Sequence, residues 1–260
     1  MRAFATPARF ATCFLPGFLS PPHVRQFQAA TMRLLTDPLV NRQVIEAPVR
    51  HGKSHWHSIV VPAWHCCVWP DKKVLGVSYG ATLSDTFSRD VVRLVQRAAS
   101  AFGLLLDPKW TRADSFRFRD HQGGFDSCGA GGAVSGKGYH LIACDDLVKD
   151  DEAARSPTQR ASLRKWFNAD LLTRTEPGGK VSLVMSRRHM SDLSGECQVD
   201  NAELPEALKW HVIQFKAIDD EGNALWPERY PLSWLQDRLR EYELKGISYM
   251  FSSLFQQNPR

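Results

Sequence analysis

The chain has 260 residues, 43% of them hydrophobic and 23% charged, with a formal net charge of +5. That is an ordinary globular composition, and the length suits one large α/β domain or one domain with a small appendage. No uncharged run is apolar enough to span a membrane, because the longest candidate, Ser54 to Pro70, holds three histidines and Pro62.

The first twenty residues carry arginines, no acid and apolar patches, which are ingredients of a targeting peptide. Pro16-Gly17 interrupts the apolar run, so the stretch reads as an arm packed on the domain. "RQVIEA" (Arg42 to Ala47) reads as a strand, and a helix from Ser54 should be kinked or shortened by Pro62. "KVLGVS" (Lys73 to Ser78) gives a second strand. Thr82 starts a helix with Asp85 near the capping-box position, and Leu83, Phe87, Val91 and Val95 line its buried face. "HLIACDD" (His140 to Asp146) is a third strand ending in two carboxylates. A basic helix from about Thr158 to Arg174 leads to a fourth strand, "GGKVSLVMS" (Gly178 to Ser186), and "WHVIQFKAI" (Trp210 to Ile218) gives a fifth. Strands alternating with helices imply a mostly parallel sheet covered on both faces. Ligands bind such sheets at the carboxyl ends of the strands, where Ala47–Ser54, Asp145 and Ser186–Arg188 fall.

"APVRHGKS", Ala47 to Ser54, matches the phosphate-binding pattern G-x-x-x-x-G-K-[ST] at every fixed position except the first. Such a loop works because backbone N–H groups and a helix N-terminus point at phosphate oxygens. Gly52 allows close approach, Lys53 reaches the β- and γ-phosphates, and the Ser54 hydroxyl ligates Mg²⁺. An aspartate at the tip of an apolar strand must complete the metal site, and "LIACDD" supplies Asp145 for that role. Asp146 is then the acid that orients or deprotonates the attacking water. A solvated acidic turn is the plainer reading of these carboxylates, since Asp150, Asp151 and Glu152 follow.

Six cysteines without C-x-x-C spacing read as reduced thiols in a cytosolic compartment. The group His51, His55, His57, His65, Cys66 and Cys67 matches no structural zinc spacing. Between Arg155 and Asp192, eight basic residues and three acids account for the whole surplus charge. That concentration suits a polyanion partner, and a solvated helical face is the alternative.

Together these motifs resemble the ATPase part of the large terminase subunit, the genome-packaging motor of tailed bacteriophages, over most of the chain. "APVRHGKS" resembles the family's arginine-bearing phosphate loop, in which the first glycine is commonly replaced. "GAGGAVSGKGYHLIACDDLVKDDEAARSPTQR" resembles its glycine-rich run and acidic strand, "TRTEPGGKVSLVMSRRHMSDLSGE" the strand ending in its coupling motif, and "ALWPERY" and "YMFSSLFQQNP" the end of its ATPase region. Two departures stand out. Ser186-Arg187-Arg188-His189 replaces the usual Thr-Arg-Trp-His, and Lys137 stands where an arginine finger is common.

The resemblance implies an α/β P-loop NTPase fold of the additional-strand, RecA-like type. It also implies an N-terminal arm and adenine-side helix over 1–40, a core over 41–220 and a linker over 221–260 leading to a nuclease domain that is not in this sequence. ATP would be held by Pro48, Val49, Arg50, His51, Gly52, Lys53, Ser54, His55, Ser186 and Arg187, with Arg50 meeting the γ-phosphate and Gln26 or Gln28 near the base. Mg²⁺ would lie on Ser54 and Asp145. Double-stranded DNA would meet Arg160, Arg164, Lys165 and Arg174. Further implied partners are a portal protein, a small terminase subunit and other copies in a ring on the portal, with an isolated monomer, in the host cytoplasm and transiently on the procapsid. A helicase-like or repair ATPase, or a DNA-docking module that binds nucleotide without turnover, are the competing readings.

Overall fold

The computed structural model describes residues 4–134 and 136–259. The first three residues of the N-terminal arm, Ser135 of the glycine-rich run and the last residue therefore lie outside the described part. The chain opens with two helices, α1 (Pro7–Phe14) and α2 (Pro22–Thr36). Prolines start both, at positions where a missing N–H costs nothing. Strand β1 (Arg42–Glu46) follows, then a π-helical stretch His55–Val60 that continues as α3 (Val61–Val68). Pro62 is the second residue of that piece, so the expected kink or shortening takes the form of a widened turn before it.

Strand β2 (Lys73–Ser78) matches its expected span, and α4 (Ala81–Ala98) follows it. Two expectations for α4 fail. Gly80, not Thr82, caps it and no side chain bonds its first turn. In its first half Ser84 and Ser88 are buried, whereas Leu83 and Phe87 are half-buried; only Val91 and Val95 of the expected stripe are fully buried. Ser88 fits there because its hydroxyl meets that of Ser127, at 2.5 Å.

Next come β3 (Ser115–Arg117), β4 (Gly124–Gly129) and β5 (Tyr139–Asp145), then α5 (Asp151–Arg155) and α6 (Pro157–Trp166). Asp150 and Ser156 cap these helices by accepting from the N–H groups of Ala153 and Gln159. The basic helix does extend to Arg174, but through π-helical and 3₁₀ turns after Trp166. Strand β6 (Thr175–Met185) and α7 (Leu193–Asp200) precede β7 (Trp210–Gln214), and α8 (Leu232–Leu244) and α9 (Ser248–Leu254) end the described chain. Strand β7 stops four residues short of its expected end, because Phe215 turns toward Phe27 on α2, with ring centroids 4.8 Å apart.

The seven strands lie in the order β3-β4-β2-β5-β6-β1-β7, parallel except for β3. Strand β6 thus separates the phosphate-loop strand β1 from the acidic strand β5, which makes this an additional-strand α/β fold. Pairing of Glu46 with Met185, Asp145 with Val184 and Ser78 with Asp145 brings the carboxyl ends level at one edge. The two sheet faces carry separate cores, one around Trp56, Trp64 and Phe125, the other around Ile142, Phe167 and Leu183. A third, smaller cluster of Ala217, Trp226, Tyr230, Leu235, Phe251 and Phe255 packs on Val49 of the phosphate loop. Among the described residues no helix is long and apolar enough to cross a membrane.

Candidate active site

The phosphate loop leaves β1 at Ala47, whose N–H donates to Met185 O. Gly52 sits at φ 84, where no side chain clashes but an L-residue would be strained. The chain then enters the π-helical stretch, so the N–H groups around Gly52 to Ser54 lie at a helix N-terminus.

Three non-glycine residues have positive φ among the described residues: Arg50 (62°), Asp146 (42°) and Gln257 (55°). They come from the phosphate loop, the end of β5 and the C-terminal segment, and all three lie around one site. Strained backbone of this kind persists only where surrounding contacts over-determine it.

Lys53 is buried, and its Nζ lies 2.9 Å from Asp146 Oδ2 and donates to Ser186 Oγ at 2.9 Å. Ser186 Oγ donates to Ala47 O at 2.9 Å, and Ser186 N–H donates to Asp146 Oδ1 at 2.8 Å. Loop, β5 end and β6 end are thus closed into one ring around the Lys53 ammonium. Asp145 is 1% exposed and accepts from Ser58 Oγ at 2.9 Å, while its Oδ1 has no hydrogen-bond partner among the described residues. Burial first, and then the charge of Asp146, raise its pKa to about 6. The Ser54 hydroxyl also lies within reach of the Asp145 carboxylate. A buried carboxylate beside that hydroxyl suits a hard cation, so Ser54 and Asp145 are compatible with the expected Mg²⁺ ligands.

Several expected contacts lie elsewhere. The His51 ring is fully buried and turned inward: it bonds Val49 O at 2.9 Å and lies 4.9 Å from the Tyr230 ring. Burial lowers its pKa to about 4, so a neutral imidazole packs the loop from beneath and offers nucleotide no side chain. Arg187, expected among the residues that hold ATP, has its guanidinium spent on Glu46, Asp192 and the carbonyls of His189 and Met190. Gln26 is exposed on α2, and Gln28 accepts from Ala8 N–H. From that helix it is His23 that touches the loop, through Nε2 and His51 O at 2.9 Å. Arg50 and His55 are exposed, Pro48 is buried and Val49 donates its N–H to Leu254 O.

The basic segment is also partly internal. Lys180 donates to Asp37 O, Val40 O and Asn41 Oδ1. Arg164 pairs with Glu196 and Asp200, and Arg155 with Asp151. Arg160 and Arg174 make single backbone bonds, and Lys165 is exposed. Lys137 is half-exposed and paired with Asp126, which also holds Arg117.

Sequence reasoning missed Ser58, Glu46 and Gln257. For Ser58 the signal existed, since it lies one helical turn after Ser54 and so faces the same side. Glu46 and Gln257 are brought together only by the tertiary fold.

No family model and no curated protein matches this sequence. Solved structures do. The large terminase of bacteriophage HK97 superposes with a TM-score of 0.56 at 11% identity, over 98% of this chain and 55% of its own. The fold is that of a large-terminase ATPase domain. The Thermus phage P74-26 large terminase ATPase domain matches with a TM-score of 0.53 at 15% identity, over 82% of this chain and 86% of its own. A point mutant of that domain gives 0.54 at the same identity. This chain therefore spans little more than half the HK97 terminase and most of the isolated P74-26 domain, and its terminase-type sheet carries the site at the edge expected from the sequence.

Proposed function

We propose that this chain is the Mg²⁺-dependent ATPase motor of a large terminase, hydrolysing ATP to drive double-stranded DNA into a procapsid. The observation that carries the reading is the ring of Lys53, Asp146 and Ser186 beside the unpartnered oxygen of Asp145, at the carboxyl edge of a terminase-type sheet. The terminase neighbours, two of them ATPase domains by name, support the same reading.

The chemistry follows from what each group can hold. The loop N–H groups and Lys53 bind phosphate oxygens, and Ser54 with Asp145 would hold the cation. That cation would supply positive charge to offset the charge developing on the phosphate. Phosphate competes with Asp146 for Lys53, and drawing the ammonium away frees the Asp146 carboxylate to orient the attacking water and take its proton. Ser186, bonded to Lys53, senses whether that ammonium has moved. Arg50, exposed at the loop, reaches toward the γ-phosphate as a cation supplied in cis. Neighbouring copies in a ring on the portal, in the host cytoplasm, would complete the motor, with the small terminase subunit delivering DNA.

Phosphate release from Mg·ATP, with and without duplex DNA, tests the reading against Lys53→Ala. Turnover that requires Mg²⁺ and Lys53 is expected. Equal release by Lys53→Ala would remove the phosphate loop from the chemistry.

A further inference from the structure

Glu46 ends the phosphate-loop strand and is 1% exposed. Its Oε1 accepts from Arg187 at 2.8 Å, Ser194 at 2.6 Å and Gln198 at 3.0 Å, and its Oε2 accepts from Gln214 at 2.7 Å. The donors belong to the turn after β6, to α7 and to the end of β7. Arg187 lies between two buried carboxylates, since its Nε also donates to Asp192 at 2.9 and 3.0 Å. Asp192 is further satisfied by the N–H groups of Arg188, His189 and Gly195. Asp192 alone balances the guanidinium, so Glu46 adds a surplus buried negative charge. A second buried carboxylate on one guanidinium is costly even with three neutral donors around it, and one ion pair would have held the turn. Stability does not account for this carboxylate.

Its position does. The next residue, Ala47, accepts from Ser186 Oγ, which in turn receives Lys53. Arg187 N–H donates to Gln257 Oε1 at 2.9 Å. The Gln214 amide that bonds Glu46 also donates to Gln257 O at 3.2 Å. Glu46 therefore closes a circuit through the loop strand, the residue after Ser186 and the C-terminal segment. The turn lies close against α7, where only glycine fits, because a Cβ at Gly195 would lie 1.8 Å from Met190 O.

We propose that Glu46 is a positioning residue that, through Arg187, sets Ser186 against Lys53 and ties the C-terminal segment to the state of the phosphate site. The proposal rests on the ATPase reading above. Glu46→Gln keeps the volume and an acceptor oxygen and leaves a balanced Arg187–Asp192 pair, so it is compatible with the fold. Gln198→Ala removes another donor to the same oxygen without touching Arg187 and serves as the control.

The test measures kcat and KM for Mg·ATP, thermal midpoint, and tryptic cleavage at Arg238, Arg240 and Lys245 with and without a non-hydrolysable ATP analogue. Glu46→Gln should lower kcat roughly 10- to 100-fold, the size of a small misplacement in a site. Its KM should stay within about twofold, and the analogue should no longer change cleavage, as it does in the wild type. Gln198→Ala should leave kcat and the cleavage response intact. An unchanged kcat in Glu46→Gln, equal losses in both variants alongside a lower thermal midpoint, or no cleavage response in the wild type would each overturn the proposal. Absence of wild-type turnover sinks the ATPase reading and this proposal together, whereas wild-type turnover matched by Glu46→Gln sinks the proposal alone.

Discussion

Asp145 is a residue the apo fold would be more stable without. Its carboxylate is buried, its pKa is raised to about 6, and one oxygen lacks a partner. A folded-state pKa above the unfolded value means the ionised form is penalised, so the penalty is present above about pH 6 and absent below the usual carboxylate range. Asp145→Asn should therefore raise the thermal midpoint at pH 8, bring little gain at pH 4 and abolish Mg²⁺-dependent turnover. Calorimetry of the ligand-free proteins at both pH values checks this, and a lower midpoint at pH 8 would show that Asp145 is structural. The meeting of Lys53, Asp145 and Ser186 at one edge was legible because each follows an apolar run that reads as a strand. His51 and Arg187 were not, since a loop histidine and a strand-end arginine look the same in sequence whether they face ligand or core. Burial decided both.

Among elements, the strands read correctly were the central ones, β1, β2, β5 and β6, whose runs of Val, Ile and Leu can only be buried on both faces. Strands β3 and β4 went unseen. Ser115–Arg117 is three residues long, and "GFDSCG" has glycine at both ends and Asp126 within it, so neither has a strand's composition. Asp126 is tolerated there because Arg117 and Lys137 neutralise it. The basic helix α6 and its continuation carry the DNA proposal, now narrowed by the pairing of Arg164 with two carboxylates. Replacing Arg160, Lys165 and Arg174 by glutamine should weaken DNA binding equally across sequences and flatten its salt dependence by roughly one unit of slope per lost contact. Basal ATP turnover should persist. Titrations of duplex DNA at several salt concentrations decide it: an unchanged slope with collapsed turnover would move these residues to the catalytic interface.

Among the described residues four histidines are deeply buried, His23, His51, His57 and His65. Burial lowers the pKa of each, to about 4, 4 and 3 for the last three. Unfolding lets each regain its ordinary pKa near 6.5. Their neutral packing thus contributes fully above that value and is lost as pH falls toward 4. Asp145 pulls the other way, but it is one group against four. The thermal midpoint should fall steeply between pH 6.5 and 4, and a flat profile would contradict the buried, neutral state. The proposed ring predicts that the isolated chain is a slow, mostly monomeric ATPase, because a neighbour's cation is worth about 10³–10⁵ in rate in other P-loop enzymes. Fast turnover independent of protein concentration would argue against a site shared between copies.

The most direct test of the site is Asp146→Asn, with Mg·ATP binding and phosphate release measured side by side on it and on the wild type. Asparagine keeps an oxygen for the Ser186 N–H and loses the charge that holds Lys53, so nucleotide binding should be equal or tighter. Turnover should vanish, because no carboxylate is left to take a proton from water. Retained binding with lost turnover is the predicted result, and near-normal phosphate release by Asp146→Asn would contradict the account.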